Sequence, residues 1–175
     1  MTTYINNQGL ELQAVQVSGK TYAVTFTATG STRLANIDNI RAGKVKDLYH
    51  PSRYGIGYDG DSDKSVPYYS RAKDLWSNML RRCYTDYAHC YKGRVTVAPR
   101  WHCFANFLTD ISRLPGFVGW MSGSGFELDK DLLTVGNSVY CREHCQFVPM
   151  ALNRADGKGG KKLVGGMWVR PHVNI

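Results

Sequence analysis

Residues 10–37 alternate between apolar and polar side chains with a period of two, which is typical of half-buried β-strands. The segments LELQAVQVSG and KTYAVTFTATG predict two strands joined by a hairpin turn at Ser18-Gly19. A third strand is predicted from Thr32 to Ile37, and NIDNIRAG predicts one helical turn that ends at Gly43. We therefore expect a small β-rich subdomain over residues 1–46.

The hydrophobic pattern takes a helical period after residue 70. Apolar side chains recur three and four positions apart over residues 71–84, which predicts a helix with one face in the core, and Ser70 is expected to cap it. Its expected core positions are Ala72, Leu75, Trp76, Met79, Leu80 and Cys83. A second amphipathic helix is predicted over residues 101–113, and Pro115-Gly116 should end it. Its expected core positions are Trp101, Phe104, Phe107, Leu108 and Ile111.

Two further segments carry weaker patterns. Residues 47–70 are rich in Tyr, Gly, Pro and Asp and follow no period, which indicates a connecting arm. A short strand is predicted over residues 93–97, closed by Pro99.

The segment FELDKDLLTVGNSVYCREHCQFVPMALNRA predicts two strands, a turn and a helix. The strands are expected from Phe126 to Val135 and from Val139 to Val148, with the turn at Gly136-Asn137. Pro149 should open the helix, where its missing N–H costs nothing. A flexible basic loop over residues 156–162 and a final strand over residues 163–173 should complete a domain spanning residues 71–175.

Net charge points to an anionic partner. The 175 residues carry a formal charge of +8 with an isoelectric point near 9.3, and residues 71–115 hold eight Lys and Arg against three Asp and Glu. Double-stranded DNA is the partner we expect first, although such a charge can also serve solubility alone. The candidate DNA contacts are Arg81, Arg82, Lys92, Arg94, Arg100, Arg154, Lys158, Lys161 and Lys162.

Other features of the composition bear on where in the cell the protein is expected to act. No run of about 18 apolar residues is present, and the N-terminus lacks the pattern of a signal peptide, so we expect no membrane partner and a cytoplasmic location. The five cysteines are expected to be mostly buried thiols in a reducing compartment.

A structural Zn²⁺ site built on Cys141, His144 and Cys145 is not expected, because the chain has no Cys-x-x-Cys pair. Its other ligands would come from Cys83, Cys90, His102 or Cys103.

Four pieces of the chain, in order, carry a family resemblance: VKDLYHPSRYGIGYDG, LWSNMLRRCY, KGRVTVAPRWHCFANF and LDKDLL..GN.VY....CQFVP...N. Over about residues 40–155 the chain resembles HNH-endonuclease-like proteins encoded by phages and prophages. The resemblance implies an α+β fold: a small N-terminal β-rich subdomain, a helical platform and a C-terminal ββα-metal-like finger. It also implies that Asp129 and Asn153 hold Mg²⁺ beside a DNA phosphate.

The chain departs from the family at the general base. The family carries His where this chain has Lys130, and a protonated amine cannot take a proton from water. Catalysis would need Lys130 in an unusual state or another base, of which His144 is the nearest candidate. Three functions follow as alternatives: a Mg²⁺-dependent DNA-nicking endonuclease, an inactive DNA-binding regulator, and a phage protein that inhibits a host nucleic-acid enzyme. The sequence predicts no oligomeric state.

Overall fold

The computed structural model describes residues 1–123 and 125–155, and it has an α+β fold. The N-terminal part is an antiparallel sheet with the strand order β1-β2-β3-β4. Its elements are β1 Thr2–Ile5, β2 Glu11–Ser18, β3 Thr21–Phe26, β4 Thr32–Asn36 and the helix α1 Ile37–Arg41. The hairpin between β2 and β3 and the strand β4 were predicted, whereas β1 was not.

One face of this sheet and α1 share a small core of their own. It contains Leu12, Ala14, Val24, Phe26, Ile37, Ile40 and Val45. Asn36 caps α1 by accepting a hydrogen bond from the Asp38 backbone N–H at 2.8 Å. Gly43 follows the helix with φ of 66°, as the predicted stop requires.

The larger core lies between helices in the middle of the chain. Its helices are α2 Tyr69–Tyr84, α3 Phe104–Ile111 and α4 Phe117–Met121, with a 3-10 turn over Pro99–His102. All predicted core positions of both helices are buried except Leu75, which packs half-buried against the same core. The capping prediction was wrong: Tyr68 precedes the first turn without a side-chain hydrogen bond, and Ser70 lies inside the helix.

The second predicted helix is shorter than its hydrophobic pattern. Pro99–His102 forms the 3-10 turn, and the α-helix begins only at Phe104. Trp101 is nevertheless fully buried, because the 3-10 turn directs it into the same core. Gly116, with φ of 77°, redirects the chain into α4, which the pattern did not predict.

The arm over residues 47–70 is docked on the helices. The backbone N–H of Tyr58 donates to the His102 carbonyl oxygen at 3.0 Å. Gly57 lies so close to α2 that an added Cβ would meet Trp76 at 2.9 Å, which explains a glycine there. The arm therefore brings the polypeptide from the N-terminal sheet onto the larger core.

The C-terminal strands differ from the predicted hairpin. Strand β6 Phe126–Asp129 pairs antiparallel with β8 Gln146–Pro149, and α5 Met150–Ala155 follows directly. Between them, β7 Val139–Tyr140 pairs in parallel with β5 Thr96–Val97.

Three predictions for this segment were therefore wrong. The first strand ends at Asp129 because its carboxylate accepts the N–H groups of Asp131 and Leu132, which turns the chain out of the ladder. Gly136-Asn137 is not a tight hairpin turn, because residues 130–138 form a longer loop. Pro149 ends β8 and α5 begins at Met150.

None of the helices in the described part of the chain is long and apolar enough to cross a membrane. The predicted basic loop over residues 156–162 and the predicted strand over residues 163–173 lie outside the described residues.

Candidate cation and nucleic-acid site

The two faces of the β6–β8 sheet differ in chemistry. Leu128 and Phe147 point into the larger core. Because side chains alternate along a strand, Glu127, Asp129 and Gln146 belong to the opposite face. The helix α5 packs against both strands, and its residue Asn153 contacts that polar face. A concentration of carboxylate and amide groups thus lies between the sheet and α5.

Asp129 is a buried carboxylate at the end of β6. Its side chain is 6% exposed, and its Oδ1 accepts the backbone N–H groups of Leu132 at 2.7 Å and Asp131 at 3.2 Å. Burial and the neighbouring Asp131 carboxylate raise the pKa of Asp129 to about 6, against the opposing effect of the backbone hydrogen bonds. A cation at this carboxylate would therefore relieve an unfavourable buried charge.

Asn153 contacts the polar face of the sheet at Glu127. Its Nδ2 donates a hydrogen bond to Glu127 Oε2 at 2.9 Å, and Glu127 precedes Asp129 by two positions on the same face. Because the amide nitrogen serves Glu127, the Oδ1 atom of Asn153 is the one that remains for a cation. The structure thus brings Asp129 and Asn153, the two predicted metal ligands, to one side of the sheet.

Gln146 is a further polar residue on this face, and the sequence did not single it out. It lies directly opposite Asp129 in the antiparallel register and is fully buried. Neither its Oε1 nor its Nε2 has a hydrogen-bond partner among the described residues. A buried unpaired amide costs roughly 1–3 kcal/mol, so this side chain requires an explanation.

Lys130 is a buried cation directly after the end of β6. It is 8% exposed, and its Nζ lies 2.7 Å from Asp131 Oδ2. The ring centres of Tyr91 and Tyr140 lie 5.8 and 5.9 Å from the same ammonium group. Lys130 is thus held in a buried ion pair with Asp131, close to two aromatic rings.

Asn137 holds the loop between β6 and β7 in place. Its Nδ2 donates to the carbonyl oxygens of Lys130 at 2.6 Å and of Val139 at 2.8 Å. These bonds fix the backbone on either side of the loop and so position Lys130. The sequence indicated only a turn at this residue, since Gly-Asn is common in turns.

His144 also fastens this loop. Its Nδ1 lies 3.2 Å from Thr134 Oγ1, which joins the turn before β8 to the loop. The ring is half-exposed, and Nδ1 is the ring atom for which the described residues supply a partner. Within the described residues, His144 forms no hydrogen bond or ion pair with Asp129.

The predicted DNA contacts near α2 fall into two groups. Arg82 and Arg94 are exposed and form no ion pair with any described residue. The guanidinium of Arg81 stacks 3.8 Å over the ring of Tyr87, and Lys92 pairs with Asp86 at 2.5 Å. Arg82 and Arg94 are thus the cations most available to a phosphate.

Arg100 and the C-terminal cations stand apart from that surface. Arg100 forms a two-point ion pair with the fully buried carboxylate of Asp110, which gives it a structural role. The side chain of Arg154 and the residues Lys158, Lys161 and Lys162 lie outside the described part of the chain.

The cysteines do not assemble into a metal site in residues 1–123 and 125–155. No three side chains of His, Cys, Asp or Glu converge there on a point that could hold a metal ion. Burial raises the pKa of Cys83 to about 11 and also raises that of Cys145, which keeps both thiols protonated. Any cation at Asp129 would therefore need amide oxygens in addition to carboxylates.

Comparison of the chain with protein-family models, with curated proteins and with solved structures finds no match.

Proposed function

We propose that this chain is a double-stranded DNA-binding protein whose residues 126–155 form an HNH-like ββα finger that holds Mg²⁺. The observation that carries the proposal is the pairing of β6 with β8 followed directly by α5, with Asp129 and Asn153 toward one side. In such a finger a carboxylate from the first strand and a side chain from the helix hold one cation against a phosphate.

The donor set suits Mg²⁺. This ion prefers oxygen ligands, binds one or two carboxylates and retains several waters. Asp129 supplies a carboxylate, and Asn153 supplies an amide oxygen from α5. The exposed guanidinium groups of Arg82 and Arg94 supply positive charge for the DNA backbone.

The contacts at the finger favour DNA binding without cleavage. Hydrolysis requires a base with an accessible lone pair beside the cation and its water. Lys130 is engaged by Asp131 and two tyrosine rings, and His144 contacts Thr134. Neither candidate base forms a hydrogen bond or an ion pair with Asp129 in the described residues.

Mg²⁺-dependent nicking is the second candidate function. It is favoured by the half-exposed ring of His144, whose Nε2 has no partner among the described residues and could accept a proton from water. Inhibition of a host nucleic-acid enzyme stays a prediction of the sequence alone.

The test combines a binding and a cleavage measurement on the full chain. We expect affinity for an arbitrary duplex to fall roughly 100-fold between 50 and 200 mM salt, as about four phosphate contacts require. Supercoiled plasmid with Mg²⁺ or Mn²⁺ should remain uncut. Absence of duplex binding at 50 mM salt would overturn the proposal. Nicking that disappears in both Asp129→Ala and His144→Ala would establish the second function instead.

A further inference from the structure

The buried amide of Gln146 points to a ligand position on the polar face of the β6–β8 sheet. Gln146 is fully buried, and both of its amide atoms lack a hydrogen-bond partner among the described residues. Native proteins pair nearly all buried polar side-chain atoms, and a bound ion or water is one of the explanations for an exception. The nature of that missing partner can be inferred from the groups around Gln146.

The groups nearest to Gln146 in the register carry negative charge. Asp129 is its direct partner across the two strands, where side chains on one face lie about 5 Å apart at Cβ. The Asp131 carboxylate lies close enough to act on Asp129 both by charge and by a side-chain hydrogen bond. Lys130 neutralises Asp131, whereas no described cationic side chain forms an ion pair with Asp129. A positive ligand would satisfy both Asp129 and the amide oxygen of Gln146.

We propose that Oε1 of Gln146 is a direct ligand of the divalent cation, together with the carboxylate of Asp129. This inference rests on the proposed Mg²⁺ site and adds a third protein ligand to Asp129 and Asn153. A carboxylate and two amide oxygens leave about three positions of an octahedral ion for water or a phosphate oxygen. The cation enters from the side of Glu127 and Asn153, which are half-exposed.

Direct ligation distinguishes Gln146 from a residue that merely packs. A methionine of similar length fills the same space, has no oxygen for the cation and leaves no amide unpaired. Gln146→Met should therefore unfold at the same temperature as the wild type or at a higher one in EDTA. The same variant should lose at least tenfold in affinity for Mg²⁺ and most of the rise in Tm that Mg²⁺ causes.

The experiment measures binding of Mn²⁺ by electron paramagnetic resonance, competition by Mg²⁺, and thermal unfolding with and without each ion. Gln146→Glu should bind Mn²⁺ at least as tightly as the wild type, because it retains an oxygen and adds charge. Gln13→Met is the matched control, since Gln13 is a partly buried strand glutamine of the N-terminal sheet. It should leave Mn²⁺ affinity unchanged.

The possible failures are separable. If Gln146→Met binds Mn²⁺ like the wild type while Asp129→Asn does not, Gln146 is no ligand and the proposed Mg²⁺ site stands. If Gln146→Met is clearly less stable than the wild type in EDTA, the amide already has a partner, and the inference is overturned. If the wild type binds duplex DNA but neither Mn²⁺ nor Mg²⁺, both the proposed cation site and the role of Gln146 as a ligand are wrong. The proposal that the protein binds DNA is then retained.

Discussion

Arg100 donates two hydrogen bonds to Asp110, from Nε at 2.7 Å and from Nη2 at 3.1 Å, and the Asp110 side chain is completely buried. Trp101 donates a third hydrogen bond to the same carboxylate at 2.9 Å. Burial alone would raise the pKa of Asp110, but the hydrogen bonds from Arg100 and Trp101 outweigh it and lower the pKa. A cation that the sequence suggested for DNA thus anchors the larger core.

The first prediction concerns this ion pair. Asp110→Ala should destabilise the fold by on the order of 2 kcal/mol, because it leaves the buried Trp101 N–H without an acceptor. Arg100→Ala should also lower the urea midpoint, since Asp110 then loses its main partner. Since its pKa is lowered, Asp110 stabilises the fold above about pH 4, and that contribution is lost as the pH falls further. If Arg100→Ala weakens DNA binding and does not lower the stability of the fold, Arg100 contacts DNA and does not anchor the core.

The second prediction separates the core from the proposed DNA-binding surface on α2. Trp76 is fully buried and donates to the Trp101 carbonyl oxygen at 2.7 Å, so Trp76→Ala should cost about 3–5 kcal/mol. The double variant Arg81→Ala with Arg82→Ala should stay folded and bind duplex DNA at least tenfold more weakly. Thermal unfolding and fluorescence anisotropy measure the two effects.

A charge-matched control tests whether the arginine effect is local. Arg41→Ala with Lys44→Ala removes two exposed cations from the N-terminal subdomain. It should weaken DNA binding much less than the α2 double variant. Equal losses in the two double variants would mean that net charge alone governs affinity.

The periodic parts of the fold were predictable from sequence, and the helix α2 shows why. The apolar residues of α2 recur three and four positions apart, and these are the residues that are buried. Such a spacing can be recognised from the residues of the helix alone. The strand β7 was not predictable as a separate element, because it pairs in parallel with Thr96–Val97, about forty residues earlier. No local pattern reports a partner so distant in the chain.

The candidate site was predictable only in part. The family resemblance supplied Asp129 and Asn153, which stay predictions as metal ligands. Gln146 gave no signal, because a glutamine between apolar strand residues gives the same pattern whether it faces solvent or a buried site. The burial of Lys130 close to two tyrosine rings depends on the loop that Asn137 fixes, and loop geometry is not encoded in periodicity.

The third prediction concerns that loop. Asn137→Ala removes two hydrogen bonds to backbone carbonyl oxygens and should destabilise the protein by about 1–3 kcal/mol. Asn137→Asp should be as damaging, because a carboxylate cannot donate to those carbonyls. Hydrogen exchange should become faster in residues 130–138 first. Unchanged exchange in that loop would show that Asn137 does not hold it.

The last prediction concerns the charge on Asp129. Burial and the Asp131 carboxylate raise its pKa to about 6, above the value near 3.9 of an unfolded chain. The folded protein therefore holds this proton more tightly than the unfolded one. Below about pH 4 the carboxyl is protonated in both states, so it does not lower the free energy of unfolding. Between about pH 4 and pH 6 the free energy of unfolding falls progressively, and above about pH 6 the loss is complete.

Asp129→Asn should remove that cost while keeping the Oδ1 atom that accepts the Leu132 N–H. In EDTA at pH 7.5 the variant should be more stable than the wild type by on the order of 2 kcal/mol, and at pH 4 the two should be alike. Urea denaturation at both pH values measures the difference. Asp63→Asn is the control, because hydrogen bonds from Ser65 lower the pKa of this exposed carboxyl and should give no stabilisation. If the wild type is at least as stable as Asp129→Asn at pH 7.5, the charge of Asp129 is already compensated within the protein. Binding of a cation at Asp129 would then add little to the stability of the fold.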